Sequence, residues 1–323
     1  MDLARLFCFG FDGYDAPDSI LFALDRDGVG AVILFARNCR DSDQIKALCA
    51  RLRDAGGEDL WILIDQEGGR VRRITDPEIG PAAASELAFS TPDQVEEDYH
   101  DAARELLCLG IDFNLAPVAD VMVTSDNPVL EGRAFGSDPS EVGLRVAAAV
   151  RGLLKAGLKC CAKHFPGLGD VTVDPHHQTT RTEASAEQFH SVHFPPFGAA
   201  IGAGASAIMT THLWAPALDS EMLATYSSKM VRGLLREQQG FDGLVLTDDL
   251  EMKSLPDEPA IASWHAFTAG HDLLLLCHDD HHQRAALADF DQRLRGDHEA
   301  RSILHQALDR QARFRQPFSH ART

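Results

Sequence analysis

The sequence predicts an α/β fold, a single TIM (β/α)8 barrel occupying residues 1–323 as one domain. Three observations lead there. Eight short apolar runs recur, at residues 3–9, 31–35, 60–64, 111–116, 158–162, 206–210, 243–247 and 272–277. They are continuous rather than alternating, as expected of parallel strands covered on both faces. Longer amphipathic stretches separate them, so the chain reads as repeated βα units with right-handed crossovers. The length suits the same fold, which takes about 250 residues and more with insertions.

Each element has its own signal. Helices are expected at 41–55, 95–109, 140–156, 186–203 and 227–239, with Asp41 and Ser140 as N-caps. The tail, 280–323, reads as the final helix. No low-complexity run interrupts the pattern, so neither a linker nor a second domain is expected. An open doubly wound sheet is the competing fold. Gly167-Leu168-Gly169 follows a strand, but no third glycine stands at the fingerprint spacing, which argues against a dinucleotide site.

Composition narrows the function. Hydrophobic residues make up 45% and charged residues 24%, enough for a sizeable core. The net charge of −19 argues against nucleic acid or an anionic membrane as partner, because both need basic patches. The acidic surface serves solubility, and an anionic substrate would need a locally basic pocket. The first residues, MDLARLFCFGFDGYD, lack a basic stretch followed by a long apolar one, and no apolar run approaches a membrane span of about 20 residues. A cytoplasmic location is therefore expected. The seven cysteines form no CxxC pair and read as buried free thiols, with Cys160 and Cys161 on opposite faces of a strand.

Polar residues collect where a barrel keeps its chemistry, at the C-terminal ends of the strands. Asp65-Gln66-Glu67-Gly68-Gly69-Arg70-Val71-Arg72-Arg73 follows the third run and Asp120 the fourth. Lys163-His164 follows the fifth, His212 the sixth, Asp248-Asp249 the seventh and His278-Asp279-Asp280 the eighth. Each has a structural alternative. Asp248 or Asp249 can cap a short helix; one of them is expected to enter the mouth, and Asp248 lies closer to the strand end. Lys163 and His164 can be a salt bridge and a core histidine, and Asp65 an acceptor for a neighbouring arginine. Glu67 reads as structural, close to Arg70 in a tight Gly-Gly turn. In Asp174-Pro175-His176 the Asp and His stand two apart, on one face if the segment is extended. A carboxylate there would fix the imidazole tautomer and raise its pKa, which suits a general acid/base; the alternative is an exposed polar loop.

These segments resemble glycoside hydrolase family 3, and within it the bacterial β-N-acetylhexosaminidases of peptidoglycan recycling (NagZ-type). The resemblance rests on Asp65 to Val71 (DQEGGRV), Lys163-His164-Phe165-Pro166-Gly167, Asp174-Pro175-His176 and Thr247-Asp248-Asp249-Leu250-Glu251-Met252. AVILFARN at 31–38, FNLAPVAD at 113–120, GRAFGSDP at 132–139 and AIMTTHLWAPALD at 207–219 support it. It implies Asp248 as nucleophile forming a covalent glycosyl-enzyme. It implies His176 as general acid/base with Asp174 as its partner, in place of the second carboxylate of most retaining glycosidases. It implies Asp65, Arg73, Arg133, Lys163 and His164 as groups that hold the sugar. The chain departs from the pattern at Leu168, Pro175 and His177-Gln178, which bears on the geometry of the strand-five loop and on aglycone preference.

The function implied is removal of a non-reducing-end β-linked N-acetylglucosamine from cell-wall fragments. The partner is then a small carbohydrate, GlcNAc-containing muropeptide fragments, acted on by a monomer with no metal and no cofactor. Three rivals stand beside it. A metal-dependent barrel would place an HxH after the first strand, where this chain reads Phe7-Cys8-Phe9-Gly10-Phe11. A carbohydrate-binding barrel without catalysis does not need Asp174, His176 and Asp248. A phosphorylase could use a histidine acid/base because imidazole does not repel phosphate as a carboxylate would.

Overall fold

Eight parallel strands close on themselves in the computed structural model, which describes residues 2–171 and 180–315. They are β1 (Phe7–Phe9), β2 (Ala31–Leu34), β3 (Trp61–Ile64), β4 (Phe113–Asn114), β5 (Lys159–Phe165), β6 (Ala207–Thr210), β7 (Leu244–Asp249) and β8 (Leu273–Leu276). Each pairs with its sequence neighbours, and β1 pairs with both β2 and β8 to complete the ring. This is the TIM barrel expected from the eight apolar runs.

The uniformly apolar strands still obey a period of two. On β8, Leu273 and Leu275 point into the barrel with Cys277 beyond them, while Leu274 and Leu276 face the helices. Cys161 points inward and Cys160 outward, as adjacent residues of one strand must. The interior is filled by Ile33, Trp61, Leu63, Phe113, Leu115, Met209 and Leu246 among others, so the barrel is a packed core whose open end supports the site. All seven cysteines are free; five are buried, Cys39 is half-buried and Cys108 is exposed.

Element boundaries differ from expectation in instructive ways. The first run opens as a single helical turn, Leu3–Leu6, before β1 begins. β5 and β7 run further than predicted, so Lys163, His164, Asp248 and Asp249 are strand residues and inherit the strand's alternation. The helix at Pro139–Ala156 is capped by Asp138, whose side chain accepts from Ser140 and Glu141 N–H groups; Ser140 is inside the helix. Asp41 caps Ser42–Gly56 through the Gln44 N–H, as expected. The tail is two helices, Asp280–Gly296 and His298–Arg315, broken at Asp297, whose carboxylate accepts from Ala300 N–H. The stretch 186–203 is likewise divided, with the wider-turned Phe189–His193 between Ala186–Gln188 and Phe194–Gly202. Among the described residues, no helix is long and apolar enough to cross a membrane.

Candidate active site

The C-terminal ends of the strands surround a cavity of about 370 Å³, within the usual size of a small-ligand site. Asp65, Arg73, Arg133, Lys163, His164 and Asp248 all line it, joined by Glu67, Arg70, Asp249 and His278. Its apolar wall comes from Ile33, Phe35, Leu115, Val129, Leu168, Met209 and Leu275. Asp174 and His176 lie outside the described residues.

The loop after β3 shows how the acidic groups are aimed. Gln66 is fully buried and pinned from four sides: its amide donates to Ile74 O and Ile79 O and its carbonyl accepts from Arg73 N and Ile74 N. Its backbone exchanges two hydrogen bonds with the Asn114 side chain on β4. With Gln66 anchored one way, Asp65 and Glu67 are sent the other way, because extended residues two apart share a face. Gly68 then turns with φ near 89°, where an added Cβ would lie 2.3 Å from Ala82 O, so only glycine fits this approach.

A buried ion network joins three strand ends. Lys163 Nζ lies 2.5 Å from Asp65 Oδ1 and 2.7 Å from Glu67 Oε1. Arg133 grips Glu67 with two parallel hydrogen bonds, Nε to Oε2 and Nη2 to Oε1, both 2.7 Å. Arg73 Nη2 reaches Asp65 Oδ2 at 3.2 Å. Burial alone would raise the carboxyls of Asp65 and Glu67. For Asp65, Lys163 and Arg73 outweigh it; for Glu67, Arg133 and Lys163 do, and both carboxyls sit below their ordinary values. Burial likewise works against the Lys163 ammonium, yet Asp65 and Glu67 hold it above its usual range.

Glu67, expected as a structural residue close to Arg70, does not pair with it. Glu67 binds Arg133 and Lys163, while Arg70 donates to the carbonyls of Pro128 and Val129 and braces a different loop. The reason is burial. Glu67 is 4% exposed, and a carboxylate so enclosed needs bidentate, buried cations more than an exposed neighbour in sequence.

His164 is set by Asp120, a fully buried residue of the loop after β4. Asp120 Oδ2 lies 2.7 Å from His164 Nδ1 and also accepts the His164 backbone N–H. With Arg133 Nη2 3.3 Å from Nε2, the ring proton belongs on Nδ1 and the Nε2 lone pair faces the guanidinium. Asp120 falls in the fourth rim cluster of the sequence, but its role was not assigned there.

Asp248 and Asp249 divide their work. Asp249 accepts from the N–H groups of Glu251 and Cys277, and its Oδ2 lies 3.2 Å from His278 Nε2. That hydrogen bond raises the His278 pKa. Both aspartates line the cavity, rather than one of them. Asp248 Oδ1 accepts only the next residue's N–H, at 2.8 Å, and has no cationic partner among the described residues. At the rim Phe35 stacks on His278, with Arg37 and Arg73 over its ring. No cluster of three or more metal-ligating side chains occurs among the described residues.

The chain matches the family model for the N-terminal domain of glycosyl hydrolase family 3 over residues 18–313. It is 34% identical over 266 residues to a β-hexosaminidase of Stenotrophomonas maltophilia, covering 80% of this chain and 78% of the relative. A β-N-acetylhexosaminidase of Beutenbergia cavernae superposes with a TM-score of 0.92 at 29% identity over 97% of both chains. A family 3 β-N-acetylglucosaminidase of Paenibacillus superposes equally well, TM-score 0.92 at 32% identity, over all of this chain and 63% of that longer one. With the barrel, the rim chemistry and the family match in agreement, the chain belongs to glycosyl hydrolase family 3 and is a glycoside hydrolase.

Proposed function

We propose that this hydrolase removes a non-reducing-end β-linked N-acetylglucosamine with retention of configuration, through a covalent glycosyl-enzyme on Asp248. The observation that carries the reading is the contrast within one cavity. Asp65 and Glu67 are locked into ion pairs, whereas Asp248 has no cation beside it among the described residues and so keeps its electron density for an anomeric carbon. The names of the relatives supply the sugar: β-hexosaminidase and β-N-acetylglucosaminidase.

In the proposed reaction Asp248 attacks the anomeric carbon as the glycosidic bond breaks, and the departing oxygen takes a proton from His176. Asp174 would orient that imidazole. This pair is assigned from the sequence resemblance. Water, deprotonated by His176, then releases the sugar from Asp248. Asp65, Arg73, Arg133, Lys163 and His164 would hold the ring hydroxyls and the acetamido group through charge-assisted hydrogen bonds. The cavity's cations favour hydrolysis over phosphorolysis. The charges of Lys163 and Arg133 are balanced by carboxylates, Arg73 pairs with Asp65, and Arg70 is held by carbonyls. The proposed setting is cell-wall recycling in the cytoplasm by a monomer.

A substrate panel of N-acetylglucosaminides, glucosides and muropeptide fragments tests the reading, with and without a chelator. Asp248→Ala should abolish turnover and leave the fold intact. NMR of the first-released sugar should show the β anomer; an inverted product excludes the covalent intermediate.

A further inference from the structure

Asp170 and Thr182 stand in sequence on either side of Asp174 and His176. A polar cluster ties these two points together. Asp170 Oδ2 accepts a hydrogen bond from Thr182 Oγ1, across twelve positions of sequence. Thr182 is 2% exposed, and its hydroxyl also accepts the Ala184 N–H at 3.0 Å. The other Asp170 oxygen lies 3.8 Å from Nε2 of His193, which is equally buried.

Both ends are also held independently by other parts of the fold. On the outgoing side Gly169 O accepts from the N–H groups of Val123 and Thr124, and Leu168 O from Asn127 Nδ2 at 2.6 Å. Leu168 N donates to Asp120, the residue that orients His164. On the return side Thr180 and Arg181 pair with Leu213 and Trp214, and Thr182 N donates to Trp214 O. The glycines seat this arrangement against the imidazole. A Cβ on Gly167 would lie 2.8 Å from His193 Nδ1, and one on Gly169 would lie 1.9 Å from Val121 O and 3.1 Å from His193 Cε1.

Stability alone is a poor account of the cluster. Asp170 Oδ1 and His193 Nδ1 are buried without a hydrogen-bond partner among the described residues, an arrangement that costs free energy an apolar filling would not. What the cluster does supply is a fixed distance between the two ends of one segment.

We propose that Asp170, Thr182 and His193 form a root clamp, positioning residues that set where the strand-five segment presents its proton donor to the leaving group. The inference rests on His176 being the acid/base. An error of about 1 Å at a reacting group costs up to ~100-fold. The clamp acts at a distance, so a smaller loss, confined to substrates that need protonation, is expected.

The test compares kcat/KM for an alkyl N-acetyl-β-glucosaminide, whose leaving group needs a proton, with the 4-nitrophenyl glycoside, whose leaving group does not. Thr182→Val should lose roughly tenfold on the alkyl substrate and no more than about threefold on the nitrophenyl one. Thr182→Ser should restore the wild-type ratio. Asp170→Asn decides by the same ratio if the valine variant does not fold. Equal losses on both substrates, or no loss on the alkyl one, overturn the clamp. His176→Ala is the benchmark: if it shows the leaving-group bias and the clamp variants do not, only the clamp fails. If His176→Ala itself shows equal losses, the acid/base assignment beneath it fails.

Discussion

Replacing Lys163 by methionine removes one charge from the centre of the ion network and keeps most of the side chain's volume. In the wild type Asp65 and Glu67 both contact the Lys163 ammonium, which is 3% exposed. Without it two carboxylates face each other at close range. Breaking a buried pair by deleting one partner costs about 3–5 kcal/mol. Here Arg133 still grips Glu67 bidentately and Arg73 still reaches Asp65, so the lower end, about 3 kcal/mol, is expected. At about 2 °C per kcal/mol for a chain of this size, the melting temperature should fall by roughly 6 °C at pH 7. The pH dependence gives a sharper check. Both carboxyls are depressed in the folded protein, so the stability they contribute is present above their unfolded values of about 3.9 and 4.3 and is lost as pH falls through the folded ones. Losing Lys163 raises them back toward the unfolded values. The gap between wild type and variant should therefore be widest near neutrality and should narrow on acidification. Urea unfolding at pH 7 and pH 4 measures it; equal stability at pH 7, or a gap that widens in acid, would refute the network as described.

Three further outcomes rest on the burial and ion pairing of other side chains. Asp272 is fully buried at the opposite end of the barrel, with Arg236 Nη2 at 2.6 Å and Arg310 Nε at 2.8 Å; Asp272→Asn should cost about 3 kcal/mol in chemical denaturation with kcat/KM unchanged. The His278 ring should titrate above its ordinary value of about 6.5 in an NMR titration and move down in Asp249→Asn. Because that value is raised on folding, the pair's small contribution is present below the unfolded pKa and is lost as pH rises through the folded one. Thiol labelling of the native protein at pH 8 should be fast at Cys108 alone. Burial pushes Cys39 and Cys49 to about 12 and Cys8, Cys161 and Cys277 well above their ordinary value, so these should react only on unfolding.

The barrel was legible because a parallel strand covered on both faces must be apolar throughout, a demand that leaves little room for another reading of runs such as Leu273–Leu276. What stayed hidden was decided by partners distant in sequence. Lys163 and Asp65 are 98 positions apart, and only their meeting lets a charged residue remain inside β5; read locally, Lys163 ends the strand. Two misreadings had signals that could have been used. Pro139 favours the first helical position, which makes the preceding Asp138 the cap and excludes Ser140.

The error at Glu67 is of the same kind. It was read as a structural residue of the turn, close to Arg70, yet alternation along Asp65-Gln66-Glu67 already places the two acids on one face and the glutamine on the other. Since Asp65 was expected in the mouth, Glu67 had to be there too, and a second buried acid in the mouth requires cations from other strands. Lys163 and Arg133 meet that requirement. The same logic separates the remaining rim acids. A carboxylate that is saturated by cations can hold a hydroxyl but is a poor nucleophile; Asp248, at the end of β7 without such a partner among the described residues, is for that reason the acid proposed to attack.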